Sequence, residues 1–311
     1  METINYLGET LRKWTIGSST FLAHPEKGAR LMNWNLAYAD GTVRDVIYWP
    51  ESDRLDNFAA IRGGNPILFP FCGRCFSEGR EGFWTDHDGK QRPMPRHGFA
   101  RNGKFEITDI GNHGFTAKLQ PDSAAAEAYP YRYEFSVIYR FEATAFYVEF
   151  SLANQDKSPI PWSAGHHFYF TLPWREGTKR SDYQVRIPAN HAFRHAPDGS
   201  LVPLAAPERE TSLDSPDLID RIHTGLKKNK AVIEEKTGGN RIALRFGDND
   251  ASPDPGLAVV TWTESLESPF YCVEPWMGPP NSPDHNMGLH WVEPGKTSHF
   301  LVEVALAACR T

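Results

Sequence analysis

Two adjacent histidines, His166 and His167, stand inside the aromatic stretch S-A-G-H-H-F-Y-F at residues 163–170. A second stretch, F-Y-C-V-E-P-W at 270–276, sets a lone carboxylate, Glu274, in an apolar run. A third, R-H-G-F-A-R at 96–101, places His97 beside a glycine and between arginines. Imidazole and carboxylate are the groups that move protons near neutral pH once burial or a neighbour tunes them. A carboxylate among apolar residues has a raised pKa and is a stronger base near neutrality. The stretch R-G-G-N-P at 62–66 adds Arg62 and glycines that allow close approach to a ligand or make a turn.

Each group also has a plain structural reading. His167 can be a hydrogen-bonded core histidine, Glu274 the partner of an arginine, and His97 part of a solvated turn. Side-chain alternation along an extended chain separates the two adjacent histidines. With 162–170 as a strand, Trp162, Ala164, His166, Phe168 and Phe170 share a core face. Ser163, Gly165, His167 and Tyr169 share a small, polar face, with Gly165 leaving room beside His167. His167 is therefore the chemical candidate and His166 the packing one. Trp276, just after Glu274, offers a flat apolar surface of the kind that covers sugar C–H groups.

Other chemistries find less support. Adjacent histidines on a strand point to opposite faces and cannot share a metal, and no H-x-H or H-E-x-x-H pattern occurs, so no metal is expected. Cys72-Gly-Arg-Cys75 has redox-type spacing but follows the strand-like run I-L-F-P-F instead of opening a helix. Its thiols, with Cys272 and Cys309, read as structural. There is no Walker lysine and no G-x-S-x-G elbow.

The elements that would position these groups are strands. Residues 131–141 (YRYEFSVIYRF) and 146–153 (FYVEFSLA) alternate between faces, and the link 142–145 is short enough for a hairpin. Similar runs lie at 43–49, 66–71, 105–110, 183–189, 231–236, 241–246, 257–262, 270–276 and 298–306. Turn pairs separate them: Asp40-Gly41, Asp88-Gly89, Asn102-Gly103, Asp198-Gly199, Gly238-Gly239 and the stretch 248–255. Helical signals are confined to 123–128 and 216–222, and the Pro-rich stretch 203–216 reads as a loop. The expectation is an all-β protein, one domain over 1–311, built as a large antiparallel β-sandwich with long loops.

The chain has 311 residues and a formal net charge of −6, which argues against nucleic-acid or anionic-membrane partners. No apolar run approaches the roughly 20 residues needed to span a bilayer. The N-terminal stretch METINYLGETLRKW lacks the basic-then-apolar pattern of a secretory signal, so reduced thiols and a cytoplasmic location are expected.

These stretches, in this order, resemble the aldose 1-epimerase (mutarotase) family. The resemblance runs through Arg62-Gly-Gly-Asn-Pro-Ile-Leu-Phe-Pro, His97-Gly-Phe-Ala-Arg101, Gly165-His-His167-Phe-Tyr-Phe and Leu218-Ile-Asp220-Arg-Ile. It continues with Val273-Glu274-Pro-Trp276-Met-Gly and Glu293-Pro-Gly295, so that it spans about 61–308. It implies a large antiparallel β-sandwich, no cofactor, and interconversion of the α and β anomers of a sugar or sugar phosphate. The family's strand histidine falls on His167, as general acid toward the ring oxygen. Its glutamate falls on Glu274, as general base for the anomeric hydroxyl. Its H-G-F histidine falls on His97, near the ring oxygen, and its hydroxyl-holding aspartate on Asp220.

The chain departs from the family pattern in two places. Phe168 follows His167 where many relatives have proline or a small residue. Gly73-Arg74 is followed by Cys75-Phe76-Ser77 and not by an Asn-Arg pair, which leaves Arg74 as the remaining arginine of that motif for sugar binding. Arg62 and Arg101 look closer to the hexose-6-phosphate epimerase branch, where they would suit a phosphate held bidentately; they would equally suit Glu274 or neutral hydroxyls. The rival reading is a non-catalytic sugar-binding protein on the same scaffold, against which the acid–base pair counts. The implied partner is a small-molecule sugar or sugar phosphate. Monomer and homodimer both remain open.

Overall fold

The structure, a computed structural model, describes residues 1–51, 55–237, 239–247 and 251–308. Cys309, Gly238 and residues 248–250 of the expected turn at 248–255 lie outside them. The strand expectation holds, and every pairing between named strands is antiparallel. Two large sheets dominate. One runs from the meander Glu2–Tyr6, Glu9–Ile16, Ser19–His24, Arg30–Ala37 and Val43–Ile47 to Phe168–Thr171 and Phe270–Trp276. It continues through Ala258–Trp262, Arg221–Leu226, Ala189–His195 and Leu201–Pro203. The other is ordered Lys104–Gly111, Gly114–Gln120, Tyr133–Phe141, Ala145–Asn154, Thr297–Ala308, Asn240–Phe246, Lys230–Glu235, Tyr183–Arg186 and Thr211–Ser212. Its middle strand, Thr297–Ala308, pairs with Ala145–Asn154 on one side and Asn240–Phe246 on the other.

Alternation explains the layering. In Tyr133–Phe141 the residues Phe135, Val137, Tyr139 and Phe141 are buried while Arg140 is exposed. The buried faces of the sheets meet in an aromatic core: Phe21 stacks on Phe141 with centroids 4.5 Å apart, and Phe150 lies 4.1 Å from the His166 ring. Burying such side chains is worth roughly 1.5–3 kcal/mol each.

Three readings need correction. The segment 162–170 is not one strand but three pieces, Ile160–Trp162, Gly165–His166 and Phe168–Thr171. The ladder is interrupted at His167, whose N–H is taken by the Asn65 side chain at 3.2 Å. The helical signal at 216–222 is a 3-10 turn over Pro216–Leu218, after which Arg221 and Ile222 open a strand. The N-terminal strands carried little signal because Glu, Thr, Arg, Lys and Asn fill their exposed positions; their inward residues, among them Trp14, Phe21 and Trp34, are fully buried. The expected helix at 123–128 is present, capped by Asp122, whose carboxylate accepts from the Ala125 N–H at 2.8 Å.

Candidate active site

A cavity of about 320 Å³ opens on the first sheet, lined by Arg62, His97, Arg101, His167, Asp220, Glu274 and Trp276, with Arg96, Tyr169 and Trp262. That volume lies in the range of small-molecule sites. The sequence candidates thus converge, with one exception. Arg74 lines an adjoining lobe of about 340 Å³, which shares Arg96, His97, Asp220 and Trp276 with the first. Its guanidinium is bound to the Ala196 carbonyl at 3.1 Å and paired with Glu81 at 3.4 Å.

His167 and Glu274 form the centre. Glu274 is 1% exposed, on a strand in which every residue is buried. Its Oε2 lies 3.5 Å from His167 Nε2. His167 is carried at the break in its strand and stacks on Tyr169, with centroids 4.8 Å apart. His166 points into the opposite layer, among Phe150, Phe168 and Phe300, as alternation requires. Asn65, which the sequence reading left unassigned within its motif, positions both histidines. Its Oδ1 accepts from the His167 N–H, while its Nδ2 lies 3.1 Å from His166 Nδ1 and 2.8 Å from the Tyr139 hydroxyl.

Gly165 has a different function from the one expected. A Cβ there would meet Trp276 Cδ1 at 2.5 Å and Cys72 Sγ at 2.7 Å. It makes room for the Trp276 indole and not for His167. The indole N–H donates to the His166 carbonyl at 3.1 Å, which leaves the ring as a flat wall of the cavity.

His97 sits on a strained loop, with φ of +67° followed by Gly98 at +71°. A side chain at Gly98 would strike the Phe69 carbonyl, 1.9 Å from the Cβ position. His97 Nδ1 accepts from the Gly73 N–H at 3.1 Å. In the neutral ring this fixes the proton on Nε2, so His97 is a hydrogen-bond donor.

The electrostatics follow from burial. Burial, followed by Arg30, takes His167 down to about 3. Burial, followed by the neighbouring His167, holds His97 well below the ordinary histidine value. Burial, followed by Asp220, pushes Glu274 well above the usual carboxylate value against the weaker pull of Arg96. Burial therefore favours uncharged imidazoles and a protonated Glu274, one proton for the pair. Arg30 is fully buried, donates to the Phe58 carbonyl at 2.6 Å and to the Ile61 and Gly63 carbonyls, and so ties down the loop that carries Arg62.

The arginines differ in availability. Arg62 is at the rim, paired with Glu264 and set over the Trp262 ring. Arg96 and Arg101 make no ion pair among the described residues. Arg96 was quoted in its motif but not chosen as a site residue. Cys72, Cys75 and Cys272 are free and buried, in agreement with the structural reading of the thiols. One ligand atom each from His167, Cys272 and Glu274 lie within 4.8 Å of one another, a group that no short metal motif in the sequence contains. No helix among the described residues is long and apolar enough to cross a membrane.

Comparison with known proteins adds to this geometry. The family described as aldose 1-epimerase matches residues 13–291. The chromosomal Protein LacX of Lactococcus lactis subsp. lactis is 28% identical over 237 residues, covering 70% of this chain and 74% of that protein. Among solved structures, a galactose mutarotase-like protein from Clostridium acetobutylicum has a TM-score of 0.79 at 17% identity, covering 99% of this chain and 98% of that one. A galactose mutarotase related enzyme from Lactobacillus acidophilus has a TM-score of 0.74 at 20% identity, covering 96% and 98%.

Proposed function

Because the chain belongs to the aldose 1-epimerase family, we propose that it interconverts the α and β anomers of an aldose or aldose phosphate by acid–base opening and closing of the ring. The observation that carries this reading is the buried His167–Glu274 pair, 3.5 Å apart, in a cavity walled by Trp276. Ring opening requires a proton to leave the anomeric hydroxyl O1 while another reaches the ring oxygen O5. The C1–O5 bond breaks, and O1 becomes the aldehyde oxygen. Rotation about C1–C2 presents the other face, and closure reverses both transfers. The proton count of the pair is the same before and after.

In this reading Glu274 takes the proton from O1 and His167 delivers one to O5, which uses the imidazolium–carboxylate form of the pair. The uncharged form, favoured by burial, carries out the same exchange with the roles reversed. His97, with its proton on Nε2, donates toward the ring oxygen, and Asp220 accepts from sugar hydroxyls. Arg96 and Arg101, without a carboxylate partner among the described residues, offer charge-assisted bonds to a substrate phosphate.

The test is anomer-exchange NMR on glucose, galactose and glucose 6-phosphate. Faster exchange with at least one is expected. Binding without acceleration of any sugar would identify a sugar-binding protein instead. If the phosphate ester is the better substrate, Arg101→Ala is expected to raise its KM by about 10–100-fold, the loss of one charge-assisted bond, and to affect free sugar less. An equal effect on both would place Arg101 on the sugar ring.

The pH dependence tests the shared proton. With His167 held at about 3, the pair gains no second proton where an ordinary histidine titrates. After subtraction of the spontaneous rate, kcat/KM for a free sugar should show no limb near 6.5. A limb at that value would mean that His167 titrates as an exposed imidazole.

A further inference from the structure

The third member of the group around the proton-transfer pair is a thiol that the reaction does not use. Cys272 and Glu274 are two residues apart on one strand, so their side chains leave the same face. Cys272 is fully buried against Tyr169 and Phe270, and it is absent from the residues that line the cavity. It stands behind the pair, whose other side faces the opening. Glu274 Oε2 and His167 Nδ1 are buried without a hydrogen-bond partner.

We propose that His167, Cys272 and Glu274 form a three-ligand site for a thiophilic divalent cation, with Zn²⁺ as the best fit, and that its binding switches the proton-transfer pair off. One ligand atom from each residue lies within 4.8 Å of the others, and the His167–Glu274 separation is 3.5 Å. Tetrahedral zinc with bonds of about 2.0 Å to nitrogen or oxygen and 2.3 Å to sulfur needs ligands roughly 3.3–3.5 Å apart. One edge of the site already has that spacing, and side-chain rotations of less than about 1.5 Å close the others. Sulfur, imidazole and carboxylate together select zinc-like ions over Mg²⁺ or Ca²⁺, which take oxygen ligands. The cavity leaves the fourth position open.

Binding displaces the thiol proton of Cys272 and the shared proton of the pair. The metal gains a thiolate, a neutral imidazole and a carboxylate, and two protons leave to solvent. Affinity therefore rises with pH. The bound ion occupies the lone pairs that would move protons and stands where O1 and O5 would enter. Inhibition is then competitive with sugar. Only this inhibitory consequence rests on the epimerase reading; the site itself does not.

The experiment titrates the full-length protein with Co²⁺, followed by displacement with Zn²⁺. One cobalt per chain is expected, with an intense thiolate-to-cobalt charge-transfer band that Zn²⁺ removes. Cys272→Ser and Cys272→Ala should each lose the band and bind Zn²⁺ about 100-fold more weakly, since losing a ligand costs at least what losing a supporting contact does. Circular dichroism establishes that these variants are folded. Glu274→Gln keeps the thiol, so it should retain the band while its affinity falls, which covers the case in which both Cys272 variants unfold. Absence of the band in wild type, or its persistence in folded Cys272 variants through another thiol, would overturn the site. Zn²⁺ should also slow anomer exchange, with reversal by a chelator. A wild-type protein that shows the cobalt band but exchanges no sugar would remove the epimerase reading and leave the metal site standing.

Discussion

Glu274→Gln is expected to lower kcat for anomer exchange by about 10²–10⁴-fold, the usual contribution of a positioned proton-transfer group. The substitution keeps the volume of a side chain that is 1% exposed and removes its ability to carry a proton. His167→Ala should cause a loss of similar size. The two residues stand 3.5 Å apart and exchange protons with one sugar, so they act as a unit, and the double variant should be little worse than the poorer single one. Anomer-exchange NMR at saturating sugar measures all three. Losses that multiply would show two independent groups, and unchanged exchange in Glu274→Gln would remove the proposed chemistry altogether.

The second large effect is on stability. Burial keeps His97 and His166 well below the ordinary histidine value, His167 at about 3, and His195 and His223 at about 4. In the unfolded chain each titrates near 6.5. As pH falls through 6.5, the unfolded chain therefore takes up five protons that the native fold refuses. Stability is full above that value and is lost below it. Glu274 works in the opposite sense, since its raised pKa leaves it protonated in the fold and ionised in the unfolded chain above about 4.5. The net difference is about four protons, or roughly 5 kcal/mol per pH unit between about 6 and 5. Domain stabilities are of the order of 5–15 kcal/mol, so acid unfolding should come early and be steep. Urea unfolding at a series of pH values gives the slope. A slope near zero between pH 6 and 5 would mean that these histidines are solvated.

Which features were readable from sequence follows from the distance over which each is determined. The distinction between His166 and His167 depends only on alternation along a short segment, and it survives even though that segment is broken. The Phe270–Trp276 strand is legible for the same reason, being a local apolar run. Arg62 was legible as a site residue but not in its partner. Glu264 lies in the loop after Ala258–Trp262, and no local pattern relates the two. Asn65 is visible in its motif, yet its partner His167 is distant in sequence and its bond to Tyr139 crosses from one sheet to the other. Cys272 reads as a core thiol, which it is; alternation sets it beside Glu274, but only strand register brings both to His167. Gly165 was noticed for the space it leaves, but the occupant of that space comes from a strand more than a hundred residues away.

The position of Thr297–Ala308 in the middle of the second sheet has a consequence for the timing of folding. Both of its neighbours are made long before it, and until it is inserted the strands Ala145–Asn154 and Asn240–Phe246 each have an unpaired edge. The two halves of that sheet form the floor against which His166 and its neighbours pack, as the His166–Phe300 ring contact illustrates. During synthesis the nascent chain must keep both sticky edges apart and wait. Emergence of this strand, not the local hairpins, then sets when the core can close, and a nascent chain stalled before it would be a substrate for chaperones.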